Sequence, residues 1–581
     1  MKQLLLTFFF PLFLGQSLAQ KHDNIWLFGH DSFLPQPNDF GGSIIDFGSE
    51  PPSSHKDYRT MNLDITVASI CDSMGNLLFY TNGAWVANYL HEQMENGDSL
   101  NPGTITSNNY NSGLRVAQSH FILPMPGYPG KYYLFHEKLD YHDVLILAVN
   151  PTYYSVIDMG QNNGLGMVEE KNVAIFNDTT KTFGTITAVK HANGRDWWVV
   201  FPEKAENNFY RCLLSPNGVE DLLIQNLSPA YPNINSNGFI CFSPDGSRLA
   251  RFEIQHGLYI YDFDRCEGLL ADNPVFVPIP NTELGGGVAF SPNGRFVYMV
   301  SSTFILQSDT WASDIASTID TVAFYDGYAD PLPSTFFAMQ PGPDGRIYIT
   351  TNNETKILHY INQPNKASDS CEVVQHGLQL ASYNRFTSPH FPNYRLGPLD
   401  GSPCDTLGLD NHPVAGFRFE ANSTGNTLLV AFIDNSFYEP TDWYWDFGDG
   451  STSTEVNPWH TFPGPGTYTV CLTVSNQYDS SMVCHDVVLV VSGTGEIAKS
   501  DIVTVFPNPA SGEVHLQLRQ QVAKAALFTL YTTTAQPMLT QHLATGKNTV
   551  SLEGLSPGLY FYEVRDEERI LQSGKLIKID D

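Results

Sequence analysis

Short apolar runs broken by turn residues fill most of the chain, and three stretches are versions of one unit. These are "CFSPDGSRLARFE" (241–253), "AFSPNGRFVYMVSS" (289–302) and "MQPGPDGRIYITT" (339–351). In each, an apolar strand enters a turn and leaves as a strand of alternating character. Proline presets φ, Asp or Asn tolerates the next position, and Gly takes the left-handed conformation that ends the turn. Asp245–Gly246, Asn293–Gly294 and Asp344–Gly345 are therefore read as hairpin turns. "HANGRDWWVVFPE" (191–203) places Gly194 one unit earlier, and "SMGNLLFYTNG" (73–83) and "PGKYYLFHEK" (129–138) are degenerate earlier copies. Further strands follow, as in "GLYIYDFD" (257–264) and "TKILHYINQ" (355–363).

The turn glycines recur near the ~40–50-residue period of a propeller blade. Four short antiparallel strands with two apolar faces bury both faces only by stacking around an axis. Residues 21–395 are accordingly expected to form a β-propeller of about seven blades, with six or eight open. A β-solenoid is the alternative, though its period is much shorter. "NIWLFG" (24–29) is expected to close the ring against "PHFPNYR" (389–395).

The pattern then changes twice. "LGPLDGSPCDTLGLDNHP" (396–413) reads as a linker rich in Gly, Pro and Asp. Residues 414–492 hold about seven short strands, the make-up of an immunoglobulin-like β-sandwich. A second linker (493–500) leads to a small all-β module (501–581), in which Gly558-Leu559-Tyr560 opens an edge-like strand. The fold class is thus all-β throughout.

Composition agrees. Charged residues are 16% and aromatics 13%, with 46 Gly and 37 Pro, which suits strands and turns rather than helical bundles. A formal net charge of −30 excludes nucleic acid as a natural partner and disfavours docking on an anionic membrane. The opening "MKQLLLTFFFPLFLGQSLAQ" has the layout of a signal peptide spanning 1–19: Lys2, then apolar Leu4 to Leu14, then Ser17-Leu18-Ala19. No later run reaches the ~18 apolar residues of a membrane span. The first cysteine is Cys71, so no lipid-modified N-terminus is expected.

Export makes the 8 cysteines disulfide candidates. Cys471 and Cys484 lie on two alternating runs around "NQYD", where folding the hairpin sets them opposite each other. Cys371 with Cys404 is a second candidate pair. Cys71, Cys212, Cys241 and Cys266 cannot be paired from sequence.

Three resemblances follow from particular residues. "WYWDFGDGSTSTEVNPWHTFPGPGTYTVCLTVSN" (443–476) resembles the PKD (polycystic kidney disease-type) domain through its W-D-F-G-D-G, Pro/His-aromatic and G-T-Y-T-V pattern. That resemblance implies an architectural motif. Trp445 and Phe447 belong to it, Trp445 packs in the core, and Asp446, Gly448, Asp449 and Gly450 form tight turns. Calcium at Asp446 or Asp449 is the one cofactor reading the motif leaves, and calcium wants about six to eight oxygens. "FPNPASG" (506–512), "LEGLSPGLYFYEV" (552–564) and "SGKLIKI" (573–579) resemble the sorting domain of the type IX secretion system, although "LYTTTAQPM" lacks the Asn-Gly common in its hairpin. This implies passage to the outer face of the outer membrane, with the secretion machinery as a partner. "GNLLFYTNG", "YSVIDMGQNNGLG" and "ITAVKHANGRDWWVV" are similar to WD-like repeat domains of secreted proteins, which names an architecture and no activity.

Catalytic templates fit poorly. There is no Gly-x-Ser-x-Gly elbow and no phosphate-binding loop. "HEQME" (91–95) and "HEKLDYHD" (136–143) fall short of His-Glu-x-x-His, leaving His136 and His142 to converge only in space. "DFDRCEG" has Cys266 and Glu267 where a calcium loop needs an oxygen ligand and Gly. "SPDGSRLA" is one residue short of a sialidase aspartate box and lacks its Trp. The reading is therefore an extracellular or surface-displayed binding protein that recognises a glycan or protein through the propeller, with the sandwich as spacer and no cofactor. The alternatives are a polysaccharide hydrolase or lyase working over the channel, and a structural component of a surface or gliding layer.

Overall fold

The computed structural model describes residues 21–30, 40–143, 146–176, 185–202, 208–227, 238–254, 256–279, 286–421, 428–489, 503–506, 510–518, 526–532, 537–544, 546–565 and 570–579. The signal-peptide reading at 1–19 and the second linker at 493–500 lie outside these residues, as do Pro507, Asn508 and Pro509 of the sorting-domain motif. Two compact units make up the chain. One is Met1–Asn422 with Leu429–Pro463 and Thr467–Val487, and the other consists mainly of Val488–Asp581.

Among the described residues, seven antiparallel sheets precede residue 386. The first two have three strands: Ile25–Phe28, Gly42–Asp46 and Ser53–Asp57, then Ala68–Cys71, Leu77–Thr81 and Val86–Asn88. The third, with His120–Pro124 first, and the fourth, with Thr187–Lys190 first, have four strands each. The fifth opens with Gly238–Phe242 and has five, the sixth opens with Val288–Phe290, and the seventh with Phe336–Pro341.

Apolar side chains lie between each sheet and the next. Phe79 meets Tyr132, Phe176 meets Phe201 and Tyr210, and Phe209 meets Tyr261. Phe252 and Val297 share one core between the fifth and sixth sheets, and Tyr298 and Ile347 another between the sixth and seventh. The circle closes where Tyr348 of the seventh sheet packs edge-on against Trp26 and Phe47 of the first. Phe391 stacks on Trp26 at 6.0 Å, so the C-terminal segment of the propeller lies beside its N-terminal strand. Arg395 pairs with Asp23, Nη1 to Oδ2 at 2.6 Å, and ties the same two segments together. This is a seven-bladed propeller, because sheets apolar on both faces have no other way to bury them.

The β-sandwich pairs Phe417–Ala421, Leu429–Asp434 and Trp459–Thr461 with a second sheet of Thr452–Ser453, Asp442–Asp446, Gly466–Ser475 and Ser480–Leu489. Trp445 is fully buried at its centre, against Phe417 and Phe432.

In the second unit, Val503–Phe506, Glu513–Leu518 and Gly546–Ser551 form one sheet, and Pro537–Leu543, Ala526–Tyr531, Gly558–Arg565 and Ile570–Lys578 the other. Val514, Leu516, Phe528 and Val564 fill the core between them. The strand after Gly558-Leu559-Tyr560 is not an edge, because it is hydrogen-bonded on both sides. Tyr560, Tyr562 and Val564 are apolar on alternate positions and bury one face of it.

Two cysteine pairs are bonded, Cys471–Cys484 and Cys266–Cys404. The expected Cys371–Cys404 pair is corrected. The segment after residue 395 doubles back over the fourth and fifth blades: Leu399 N–H donates to Ala192 O at 2.9 Å, and Arg265 Nη2 to Gly397 O at 2.5 Å. That path delivers Cys404 to Cys266. Cys371 is a buried thiol in the core between the sixth and seventh blades, where burial raises its pKa to about 11.

Candidate functional site

Each inner strand of the propeller leads into its turn, and the turns repeat one construction. Gly246, Gly294 and Gly345 have φ of 72°, 72° and 78°. Their N–H groups donate to Ser243, Ser291 and Gly342 carbonyls. Asp245, Asn293 and Asp344 each accept the backbone N–H two residues on. Only a residue free of Cβ crowding takes that φ cheaply, which is why glycine ends every one of these turns.

These turns gather at one mouth of the central channel, and Asp245, Asn293 and Gly345 line a chamber of about 1320 Å³ there. The chamber runs from Gln118 and Thr187 along the inner strands to Phe432, Asn457 and Trp459 of the β-sandwich. Its deep part is apolar: Val189, Val288, Phe290 and Met339.

The deep polar groups are committed to the protein. Gln118 accepts from Ile240 N–H at 3.0 Å and donates to Ile240 O at 3.2 Å. Gln340 treats Phe391 in the same way, at 3.2 and 3.4 Å. Both amides act as backbone surrogates, Gln118 toward the inner strand of the fifth blade and Gln340 toward the closing segment at Phe391. His390 Nε2 lies 3.0 Å from Ile186 O, and burial lowers its pKa to about 4. Burial pushes the Cys241 thiol up to about 12. Deep in the channel, imidazole and thiol are thus both neutral at physiological pH.

The sandwich is held on the propeller by charge. Arg418 Nη2 donates to Asn362 O at 2.6 Å, Arg346 Nη2 to Glu420 at 3.2 Å, and Asn435 Nδ2 to Asp344 O at 2.8 Å. It is a cap over the channel mouth instead of a free spacer, because its first sheet presents Arg418 and Glu420 to the seventh blade.

The aspartates and glycines of the Trp445–Gly450 run build two tight turns. Asp446 Oδ1 accepts from Gly448 N–H at 2.9 Å, and Asp449 Oδ1 from Ser451 N–H at 2.9 Å. Gly448 and Gly450 have φ of 73° and 93°. Phe447 is buried and stacks on the His460 ring at 4.0 Å. Trp445 Nε1 donates to Glu455 O at 2.8 Å.

His136 is fully buried between Asn101 and Ser155, at 2.7 and 2.9 Å, while the His142 side chain lies outside the described residues. His91 is held by Tyr80 and Asp57. Among the described residues no group of three or more His, Cys, Asp or Glu converges as a metal site. The chamber and its Trp459 edge were not legible as a site, since they join segments more than a hundred positions apart.

Residues 411–491 match the model of the PKD domain family, and residues 504–579 that of the secretion system C-terminal sorting domain. The chain carries both domains. The type IX sorting domain marks it for export to the cell surface or beyond and implies the secretion machinery as a partner. No helix of the described residues is long and apolar enough to cross a membrane.

A curated relative, collagenase ColA of Bacillus cereus, is 59% identical over 125 residues, or 21% of this chain and 11% of that protein. The chain therefore spans about a tenth of that relative's length. Among solved structures, the PKD1 domain of the Vibrio cholerae metalloprotease PrtV is 31% identical, covering 13% of this chain and 95% of its own, with a TM-score of 0.12. The Dos1 propeller is 12% identical, covering 56% of this chain and 87% of its own, with a TM-score of 0.32.

Proposed function

We propose that this exported PKD-domain protein is a non-catalytic binding protein that recognises a glycan or protein through its propeller. The observation that carries the reading is the chemistry of the channel chamber. A hydrolase or lyase needs a carboxylate, imidazole or thiolate in working protonation state beside the substrate. The deep chamber instead has apolar walls, two amides already hydrogen-bonded to backbone, a Cys241 thiol kept protonated by burial and a His390 ring held between Ile186 O and Gln118, while the lining carboxylates Asp23 and Asp245 are taken up by Arg395 and by Ser243 and Ser247. Concave, mostly apolar walls with a few placed polar groups suit recognition. The sandwich, fixed by Arg418 and Glu420, completes the wall of the chamber.

The test is binding and turnover with the secreted protein on glycan arrays, on cell-surface pulldowns and with polysaccharide substrates. Retention of a defined ligand without turnover is the expected result. Polymer cleavage abolished by substituting one chamber carboxylate, such as Asp245→Asn, would establish an enzyme instead.

A further inference from the structure

Strand register sorts the first sheet of the PKD sandwich into two faces. Arg418 lies opposite Ile433, Glu420 opposite Ala431, and Ala431 opposite Trp459, so these five share one face. Phe417, Phe432 and His460 occupy the other face and pack on the sandwich core. The first face looks toward the propeller. Along Phe417–Ala421 it is sealed by the bonds of Arg418 and Glu420 to Asn362 and Arg346. At the opposite edge the chamber is open, and there Trp459 lines it while remaining 63% exposed.

Three asparagines accompany that tryptophan in the chamber wall. Asn293 Oδ1 accepts from Arg295 N–H at 3.0 Å, Asn365 Oδ1 from Asn293 N–H at 3.0 Å, and Asn457 Oδ1 from Asp434 N–H at 2.8 Å. Each amide is oriented through its oxygen, and among the described residues no protein acceptor meets its Nδ2. Three preset amide groups and one indole therefore line the same chamber. The charges around it are mostly negative, with Asp245, Asp369 and Glu372 set against Lys366, while Asp23 and Arg395 cancel each other.

We propose that this open edge is a subsite for a neutral carbohydrate chain, with the Trp459 indole as stacking platform and the three asparagine amides donating to sugar hydroxyls. The proposal rests on the reading of the chain as a binding protein and specifies its ligand class. The C–H face of a pyranose is apolar with slightly positive hydrogens, which matches the negative face of an indole. Fixed amide donors suit hydroxyl oxygens. The surplus of carboxylates repels uronate, sulfate or phosphate polymers. A peptide adding as a strand finds little to pair with, because Trp459–Thr461 is three residues long and lies between Pro458 and Pro463.

The experiment is calorimetric titration of the secreted protein and its Trp459→Ala and Trp459→Phe variants against three probes. These are soluble neutral polysaccharides (β-glucan, xylan, mannan), polygalacturonate, and gelatin peptides. Neutral polysaccharide binding that weakens about tenfold in Trp459→Ala and less in Trp459→Phe, with unchanged thermal unfolding, is the expected result. Neutral glycan binding that Trp459→Ala leaves intact overturns this subsite while the binding-protein reading stands. Binding of polygalacturonate or gelatin alone overturns the ligand class. No binding to any probe overturns the proposal outright, and the glycan-array and pulldown experiment then decides the broader reading separately.

Discussion

His460 Nε2 and Asp449 Oδ2 are 2.7 Å apart, joining a strand of one sheet of the PKD sandwich to the turn at the end of a strand of the other. Burial works to raise the Asp449 pKa, but hydrogen bonds from His460 and Ser451 outweigh it and hold the carboxyl below its usual range. A depressed carboxyl pKa stabilises the fold above its unfolded value, and that contribution is lost as pH falls through the folded value. We expect His460→Ala and Asp449→Ala each to destabilise the sandwich by about 1–3 kcal/mol at pH 7, with a clear coupling in the double mutant. Urea unfolding at pH 7 measures this, and purely additive effects would show that the pair is incidental.

The disulfides make a second prediction. Cys266–Cys404 spans 138 positions and Cys471–Cys484 spans 13. If chain entropy governs, opening the first costs up to about 5 kcal/mol and the second about 3 kcal/mol. Serine variants in guanidinium unfolding test the order. Peptide mapping without reductant should recover Cys266 with Cys404, and recovery of Cys371 with Cys404 would refute the assignment.

Local patterns carried most of the architecture. The turns at Gly246, Gly294 and Gly345 were readable because a two-residue signal and a required φ coincide at each. The Trp445–Gly450 run was readable because its spacing is tied to one turn geometry. What sequence did not reveal depends on chain path. Cys266 reaches Cys404 only because the segment after Arg395 folds back, and no local preference encodes that. Trp459 becomes the edge of a chamber only because Arg418 and Glu420, on the far strand of the same sheet, dock on the seventh blade. Spacing along the chain does not record either relationship.

A third prediction concerns Glu50. Burial raises its pKa from 4.5 to about 7, although Arg346 lies 3.6 Å away. Arg346 is shared with Asp344 at 2.6 Å and with Glu420, which leaves Glu50 a poor share of its charge. A carboxyl whose folded pKa is raised stabilises the fold at low pH, and the contribution disappears as pH climbs through about 7. Up to about 3 kcal/mol is at stake for this group. Glu50→Gln should flatten the decline in stability between about pH 4.5 and 7, with little effect on the slope above about pH 8. Thermal unfolding across that range is the measurement, and an unchanged slope would place the Glu50 pKa well below 7.

The last prediction runs the opposite way with pH. Ser119 Oγ, His120, Asn101, His136 and Ser155 Oγ form a continuous buried chain, with contacts of 2.7, 3.0, 2.7 and 2.9 Å. Burial lowers the His120 pKa to about 3 and holds that of His136 well below 6.5, with the His120 ring further disfavouring a proton on His136. A histidine that is neutral when folded and free to protonate when unfolded stabilises the fold above 6.5 and loses that contribution as pH falls below it. The two together should remove about 4 kcal/mol between pH 7.5 and pH 5. Asn101 bridges both rings at a φ of 49°, so Asn101→Gly removes the amide without straining the backbone. It should cost about 2–3 kcal/mol at pH 7.5, because both rings are left with unsatisfied nitrogens. Unfolding curves at the two pH values decide the matter: a flat pH response would mean that water reaches the rings, and a neutral Asn101→Gly would mean that they find other partners.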